Sequence, residues 1–173
     1  MESQKDPLYL LSAEAEFRRK GKQRLPVRNP SPLGTSETLN QSGSVDCMHD
    51  ARVCGRRFRT FNVVDDFNRE ALSIEIDLNL PALRVVRVLD RIAANRGYPA
   101  MLRMDYGLEF ISLALAEWAE KHAVKLEFIK PGKPPQNAFI ECFNRTCRTE
   151  ILDFYLFRTL NEVREITERW FRI

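Results

Sequence analysis

A chain of 173 residues, 44% apolar and 29% charged with a net charge of +3, has the length of about one domain and the composition of a globular protein. Collagen-like, low-complexity and wholly disordered chains are excluded. No apolar stretch approaches the roughly 20 residues that cross a bilayer, and no basic segment followed by an apolar run opens the chain, so a cytoplasmic protein with no membrane partner is expected.

Residues 1–43 carry Pro7, Pro26, Pro30, Pro32, Gly21 and Gly34 among many Ser, Thr, Asn and Gln residues, with no sustained hydrophobic period. They read as a Pro- and Ser-rich tail or linker. Arg18, Arg19, Lys20, Lys22, Arg24 and Arg28 make it basic, with no acid between them; such a run suits a solvated linker or a nucleic-acid partner. Residues 44–173 read as the folded core. Ser44–Met48 is a short strand and Phe58–Asp65 a second. Ala71–Leu78 is a third, in which Leu72, Ile74, Ile76 and Leu78 alternate with Ser73, Glu75 and Asp77, the pattern of an outer strand with one wet face. Asp65-Asp66-Phe67-Asn68-Arg69 has hairpin-turn chemistry.

After Pro81 the period becomes helical. Ala82, Val85, Val86, Leu89, Ile92 and Ala93 form one stripe, Arg84, Arg87 and Arg91 face away, and Gly97 stands at the C-cap. A strand Met101–Asp105, a helix from about Ser112 to His122 and a strand Lys125–Lys130 follow. The break Pro131-Gly132-Lys133-Pro134-Pro135 leads through Gln136-Asn137, an N-cap, into a helix running to about Leu152. Its predicted inner face is Ile140, Phe143, Cys147 and Ile151, with Asn137, Glu141, Asn144, Arg145 and Arg148 on the other. A last amphipathic helix, Leu160–Phe171, stops without a terminator, as though the element continued.

The four cysteines, Cys47, Cys54, Cys142 and Cys147, show no C-x-x-C spacing and read as reduced thiols. A zinc site from Cys47, His49 and Cys54 is the alternative, at a spacing that matches no common ligand pattern.

Three antiparallel strands followed by helix, strand, helix, strand and helix predict an α/β fold, a mixed five-stranded sheet with helices on both faces in the outline of a ribonuclease-H-like domain. Asp46 is central in the first strand, Asp105 closes the fourth, and Glu141 lies in the helix after the Pro-rich break, with 35 residues between the last two. If the first and fourth strands are neighbours, these acids share one sheet edge. Phosphodiester displacement needs neutralisation of charge developing at phosphorus, which two divalent cations roughly 3.5–4 Å apart supply. Hard cations such as Mg²⁺ or Mn²⁺ take carboxylate oxygens, so three carboxylates suit them. Taken singly, each acid also suits a structural role: Asp46 a strand-end turn, Asp105 an Asp-x-Gly turn, Glu141 a solvated helix face. Asp50, Asp65 and Asp66 belong to strand ends and turns. Glu109 caps or orients the loop after Asp105, or reaches a metal through water.

Around these acids, Val45-Asp46, Gly55-Arg56-Arg57-Phe58-Arg59-Thr60, Val64-Asp65-Asp66-Phe67-Asn68-Arg69-Glu70, Arg103-Met104-Asp105, Gly107, Glu109-Phe110, Lys130-Pro131-Gly132-Lys133-Pro134, Gln136-Asn137-Ala138-Phe139-Ile140-Glu141 and Phe143-Asn144-Arg145 closely resemble the integrase catalytic core of bacterial copy-out insertion-sequence transposases, relatives of retroviral integrases. The resemblance runs from about Arg24 to Trp170. It implies metal-dependent polynucleotidyl transfer on DNA, in transposition or integration, with Asp46, Asp105 and Glu141 as catalytic ligands of two Mg²⁺ or Mn²⁺ ions and no covalent enzyme intermediate. It also implies DNA partners (element ends and target), a full-length transposase or a second copy as protein partner, and a bacterial, nucleoid-associated location.

Lys130, Lys133, Gln136, Asn137, Asn144, Arg145 and Arg148 are the candidates for DNA contact, because helical spacing sets most of them beside Glu141. The same residues also suit a solvated helix face. Trp118 and Phe143 read as core. Several positions depart from the family pattern: Gly43 and Cys47 where aromatic residues usually flank Asp46, Tyr106 and Leu108 in place of Asn and Pro after Asp105, Cys142 and Cys147 in place of Arg and Tyr. Nothing resembles the family's N-terminal helix-turn-helix region or the segment expected after Trp170, so truncation at both ends is expected. Three readings follow: an active transferase, a degenerate core that only binds DNA or a transposase partner, and a stand-alone structure-specific nuclease on the same fold. Crowding by Tyr106 of the loop that aims Asp105 is expected to weaken catalysis.

Overall fold

The computed structural model describes residues 36–129 and 137–172. The chain divides at residue 30 into two units, and all described residues belong to the second. β1 (Ser42–Ala51), β2 (Arg57–Asp65) and β3 (Ala71–Asp77) form an antiparallel meander. α1 (Ala82–Arg96) then crosses the sheet to β4 (Met101–Met104), and α2 (Leu113–Lys121) leads to β5 (Lys125–Phe128). α3 (Ala138–Cys147) and α4 (Leu160–Phe171) complete the fold. The sheet order is β3-β2-β1-β4-β5, with β4 parallel to both β1 and β5. This is the predicted α/β architecture.

Burial explains why β2 is central. From Phe58 to Asp65 it is buried at every position but Arg59, because helices cover both of its faces. Phe61 and Val63, with Val45 of β1 and Leu102 and Met104 of β4, meet α1 and α2 in one core. Phe58, Met48 and Ile76 point the other way and meet Cys147, Ile151 and Val163 in a second. Alternation along β1 and β2 assigns the two cores to opposite sheet faces.

β3 departs from the expected wet face. A bulge between Val63 and Val64 shifts its register, so Leu72 joins the α1 side with Leu89 and Ile92, while Ile74 and Ile76 pack on the α4 side. Glu75, on the α1 side, is covered through ion pairs with Arg84 (2.7 Å) and Arg91 (2.8 Å).

Capping follows the expectation at Gly97 but not at Asn137, whose side chain makes no cap hydrogen bond at the start of α3. Ser112 accepts the Leu115 N–H at the start of α2, Thr159 and Glu162 form a capping box at α4, and Gly97, with φ of 79°, closes α1. The helix predicted to run to Leu152 instead ends at Cys147 and continues as one π-helical turn, Arg148–Leu152. There the Thr149 hydroxyl donates to the Arg145 and Thr146 carbonyls, side-chain competition that loosens the backbone ladder. The extra residue per turn buries both Ile151 and Leu152.

Asp65 and Asp66 do more than make a turn. Buried Asp66 accepts the hydroxyls of Ser42 (2.6 Å) and Ser44 (2.5 Å) and pairs with Arg103 of β4 at 3.3 Å, tying three strands together. Asp65 accepts the Asn40 and Phe67 N–H groups and pairs with Arg96. Among the described residues no helix is long and apolar enough to cross a membrane.

Candidate active site

Asp46 lies in the middle strand of the sheet, directly opposite Asn62 of β2. On the other side Ser44 is level with Arg103 of β4. Asp46 lies two residues beyond Ser44, and Asp105 two beyond Arg103, at the position directly after β4. Glu141 occupies the first turn of α3. The juxtaposition thus comes from three elements: a neighbouring parallel pair of strands, and a helix laid across the β1 and β2 face.

Asp46 is half-buried and held from two sides. Its Oδ1 accepts the Cys47 N–H at 2.7 Å and its Oδ2 accepts the Asn144 side-chain amide at 2.7 Å. Burial pushes the Asp46 carboxyl up to about 6; the Cys47 N–H opposes this, and the charges of Asp105, Glu141 and Glu109 add to it. The acids therefore repel one another across the site.

The loop after Asp105 is pinned at both ends. Asp105 Oδ1 accepts the Gly107 N–H at 2.9 Å. A Cβ on Gly107 would lie 3.0 Å from that oxygen and 3.2 Å from Glu109 Cδ, so any larger residue there must push these carboxylates by a few tenths of an ångström. Glu109 pairs with Arg59 of β2 at 3.0 Å, its side chain only 8% exposed, and accepts the Cys47 thiol, whose proton is held firmly by burial and by the Glu109 charge. Glu109 orients the loop, as expected. Tyr106 does not crowd it: the ring is half exposed and stacks on Phe128 at 5.3 Å. Leu108 is 87% exposed.

Among the described residues no three acidic, histidine or cysteine side chains are gathered as a ready metal-ligand set, and the four cysteines are free thiols. The donor chemistry of the acids still fits a hard divalent cation, because Asp46, Asp105 and Glu141 supply only carboxylate oxygens and the mutual repulsion felt at Asp46 is what such a cation relieves.

The predicted outer face of α3 is corrected in part. Glu141 and Arg145 are exposed, but Asn137 and Asn144 are buried with Ile140 and Cys147. Asn144 turns inward because Asp46 and Asn62 offer it hydrogen bonds there. Arg148 is tied back to the His49 carbonyl at 3.0 Å, with Asp50 and Asp153 at 3.8 and 3.7 Å. Lys130, Lys133 and Gln136 lie outside the described residues. Sequence reasoning missed Asn62 and Arg59. The available signal was a lone amide in the Phe- and Val-rich run of β2, a buried polar group that demands a partner.

Residues 38–134 match the integrase core domain family, and residues 122–173 match a second integrase core domain model. The chain is 39% identical over 167 residues to the insertion element IS476 uncharacterized 39.2 kDa protein of Xanthomonas euvesicatoria, covering 95% of this chain and 48% of that protein. It is 41% identical over 165 residues to the insertion element IS407 uncharacterized 31.7 kDa protein of Burkholderia multivorans, covering 94% and 60%. The chain thus spans about half the length of the curated relatives it matches. Among solved structures, the HTLV-2 integrase catalytic core domain in complex with magnesium aligns with a TM-score of 0.58 at 16% identity, over 73% of this chain and 82% of that one. A simian T-cell lymphotropic virus intasome in complex with PP2A regulatory subunit B56 gamma aligns with a TM-score of 0.61 at 17% identity, over 75% and 47%. These structural likenesses show the ribonuclease-H-like fold, and the sequence match across 38–134, more than half of the chain, shows that it belongs to the integrase core domain family.

Proposed function

We propose that this chain is the catalytic core of an insertion-element transposase, acting in DNA transposition by metal-dependent polynucleotidyl transfer between element ends and target DNA. The observation that carries the reading is the convergence on Asp46 of charge from Asp105 and Glu141, three acids from three elements in an integrase core domain. Asp46, Asp105 and Glu141 would hold two Mg²⁺ or Mn²⁺ ions. Such ions, when bound, offset charge developing at phosphorus and lower the pKa of a water or hydroxyl nucleophile. The chain's own residues position the donors: Asn144 and the Cys47 N–H fix the Asp46 carboxylate, the Gly107 N–H fixes Asp105, and Glu109 with Arg59 holds the loop between. Arg145, exposed beside Glu141, is the described cation we propose to meet a phosphate; Lys130, Lys133 and Gln136 are proposed to extend that DNA surface, to which buried Asn137 and tied-back Arg148 offer less. A second copy of the chain or a full-length transposase is the proposed protein partner.

A second reading, a core that binds DNA without turnover, draws on the absence of a gathered ligand set among the described residues. One experiment separates the two. The protein is incubated with a DNA-end substrate and a target duplex in Mn²⁺, beside Asp46→Asn, Asp105→Asn and Glu141→Gln. Nicking or strand transfer lost in all three variants supports the transferase. Salt-sensitive DNA binding with no nicking in any of them supports the binding core.

A further inference from the structure

Beyond the three acids, the site contains a buried amide chain whose direction is set by chemistry. An ionised Asp46 can only accept hydrogen bonds, so Asn144 must present its NH₂ group to Asp46 Oδ2, at 2.7 Å. The Asn144 carbonyl oxygen then faces β2, where Asn62 donates its own NH₂ to it at 2.7 Å. That leaves Asn62 Oδ1 turned into the interior with no partner among the described residues, on a side chain that is fully buried.

For sheet stability this is a poor choice. Asn62 sits in a strand otherwise filled by Phe58, Phe61, Val63 and Val64, and an orphaned buried carbonyl costs stability that an aliphatic residue would not. Its position supplies a reason, since Asn62 is the residue directly opposite Asp46 in the β1–β2 register. Without a donor at 62, the Asn144 carbonyl oxygen loses its partner in the interior, and the amide is held by Asp46 alone.

We infer that Asn62 is a positioning residue of the candidate active site: it locks the Asn144 amide in the orientation that aims Asp46 at a divalent cation. The cation belongs to the reading proposed above, on which this inference rests, whereas the locking of the amide can be tested without it. The role differs from packing because it predicts weaker metal affinity and a freed Asn144 amide in variants that stay folded.

The test uses the whole chain with Asn62→Leu and, should leucine overpack, Asn62→Ala. Mn²⁺ affinity is followed by electron paramagnetic resonance, with Asp46→Asn as the control, and the Asn144 side-chain amide is followed by ¹H–¹⁵N hydrogen exchange in metal-free buffer. The expected result is a folded Asn62→Leu, Mn²⁺ binding weakened by about tenfold, and loss of exchange protection at the Asn144 amide. Wild-type affinity in both folded variants, where Asp46→Asn has lost binding, overturns the inference. If wild type and Asp46→Asn take up Mn²⁺ equally, the metal reading fails by itself. The exchange measurement then decides: protection lost in the Asn62 variants supports the lock, and protection retained overturns it.

Discussion

At the scale of single residues, the site trades stability for chemistry. Asp46 is a half-buried carboxyl facing the charges of Asp105, Glu141 and Glu109, and such crowding is a cost that function must justify. Replacing it by the isosteric amide, Asp46→Asn, removes the repulsion but leaves one acceptor oxygen for two donors, the Cys47 N–H and the Asn144 amide. Thermal unfolding in EDTA at pH 7.5 should show Asp46→Asn within about 1 kcal/mol of wild type, relief of the repulsion being offset by the lost hydrogen bond, with metal-dependent activity lost. Gly107 makes a complementary case. Its added Cβ would press within 3.0 Å of Asp105 Oδ1, so Gly107→Ala should move a ligand by a fraction of an ångström and lower strand transfer by roughly a hundredfold. Circular dichroism should show the fold retained, since the Cβ meets side-chain atoms that need give by only a few tenths of an ångström.

At the scale of elements, β3 depends on charge more than its alternation implies. Burial pushes the Glu75 carboxyl up, but hydrogen bonds from Arg91 and Arg84 outweigh it and hold the group below the usual carboxylate range. A depressed carboxyl contributes stability above its unfolded value of 4.5, and that contribution disappears as pH falls through the still lower folded value. Urea titrations should therefore find Glu75→Gln about 1–3 kcal/mol less stable than wild type at pH 7, the difference shrinking as pH falls below 4.5. On α3, Arg145 is exposed in the last turn. Fluorescence anisotropy should show Arg145→Ala binding duplex DNA more weakly, with a slope of log affinity against log salt shallower by about 1.

Over the whole molecule, one sheet serves two cores, and the second couples stability to the site. Ile151, fully buried in the π-helical turn, packs with Met48 and Phe58 beneath the helix that carries Glu141. Ile151→Ala should cost about 2–5 kcal/mol and lower activity at temperatures where the bulk of the sheet remains folded. Native-state hydrogen exchange should show α3 and α4 opening before β1 and β2. An equal loss of protection in all elements would mean that the two cores unfold as one.

Much of this was legible in one dimension. Period-2 and period-3.6 patterns, the Ser112 and Thr159 caps and the Gly97 terminus are local properties, and they set every strand and helix to within a few residues. Asp46, Asp105 and Glu141 stood out through spacing and the strings around them, which are also linear features. What only the tertiary structure decided was direction and partnership. Leu72 changed faces because a bulge depends on the register of β2 against β3, and Asn144 turned inward because a polar residue on an amphipathic helix follows its nearest unsatisfied partners, which lie 98 and 82 residues away at Asp46 and Asn62. Asp66 became a three-strand hub for the same reason. Apolar periodicity identifies which residues leave water, since burial is a property of one side chain. A buried hydrogen bond is a property of two, and no pattern in a single sequence says which pair the fold will bring together.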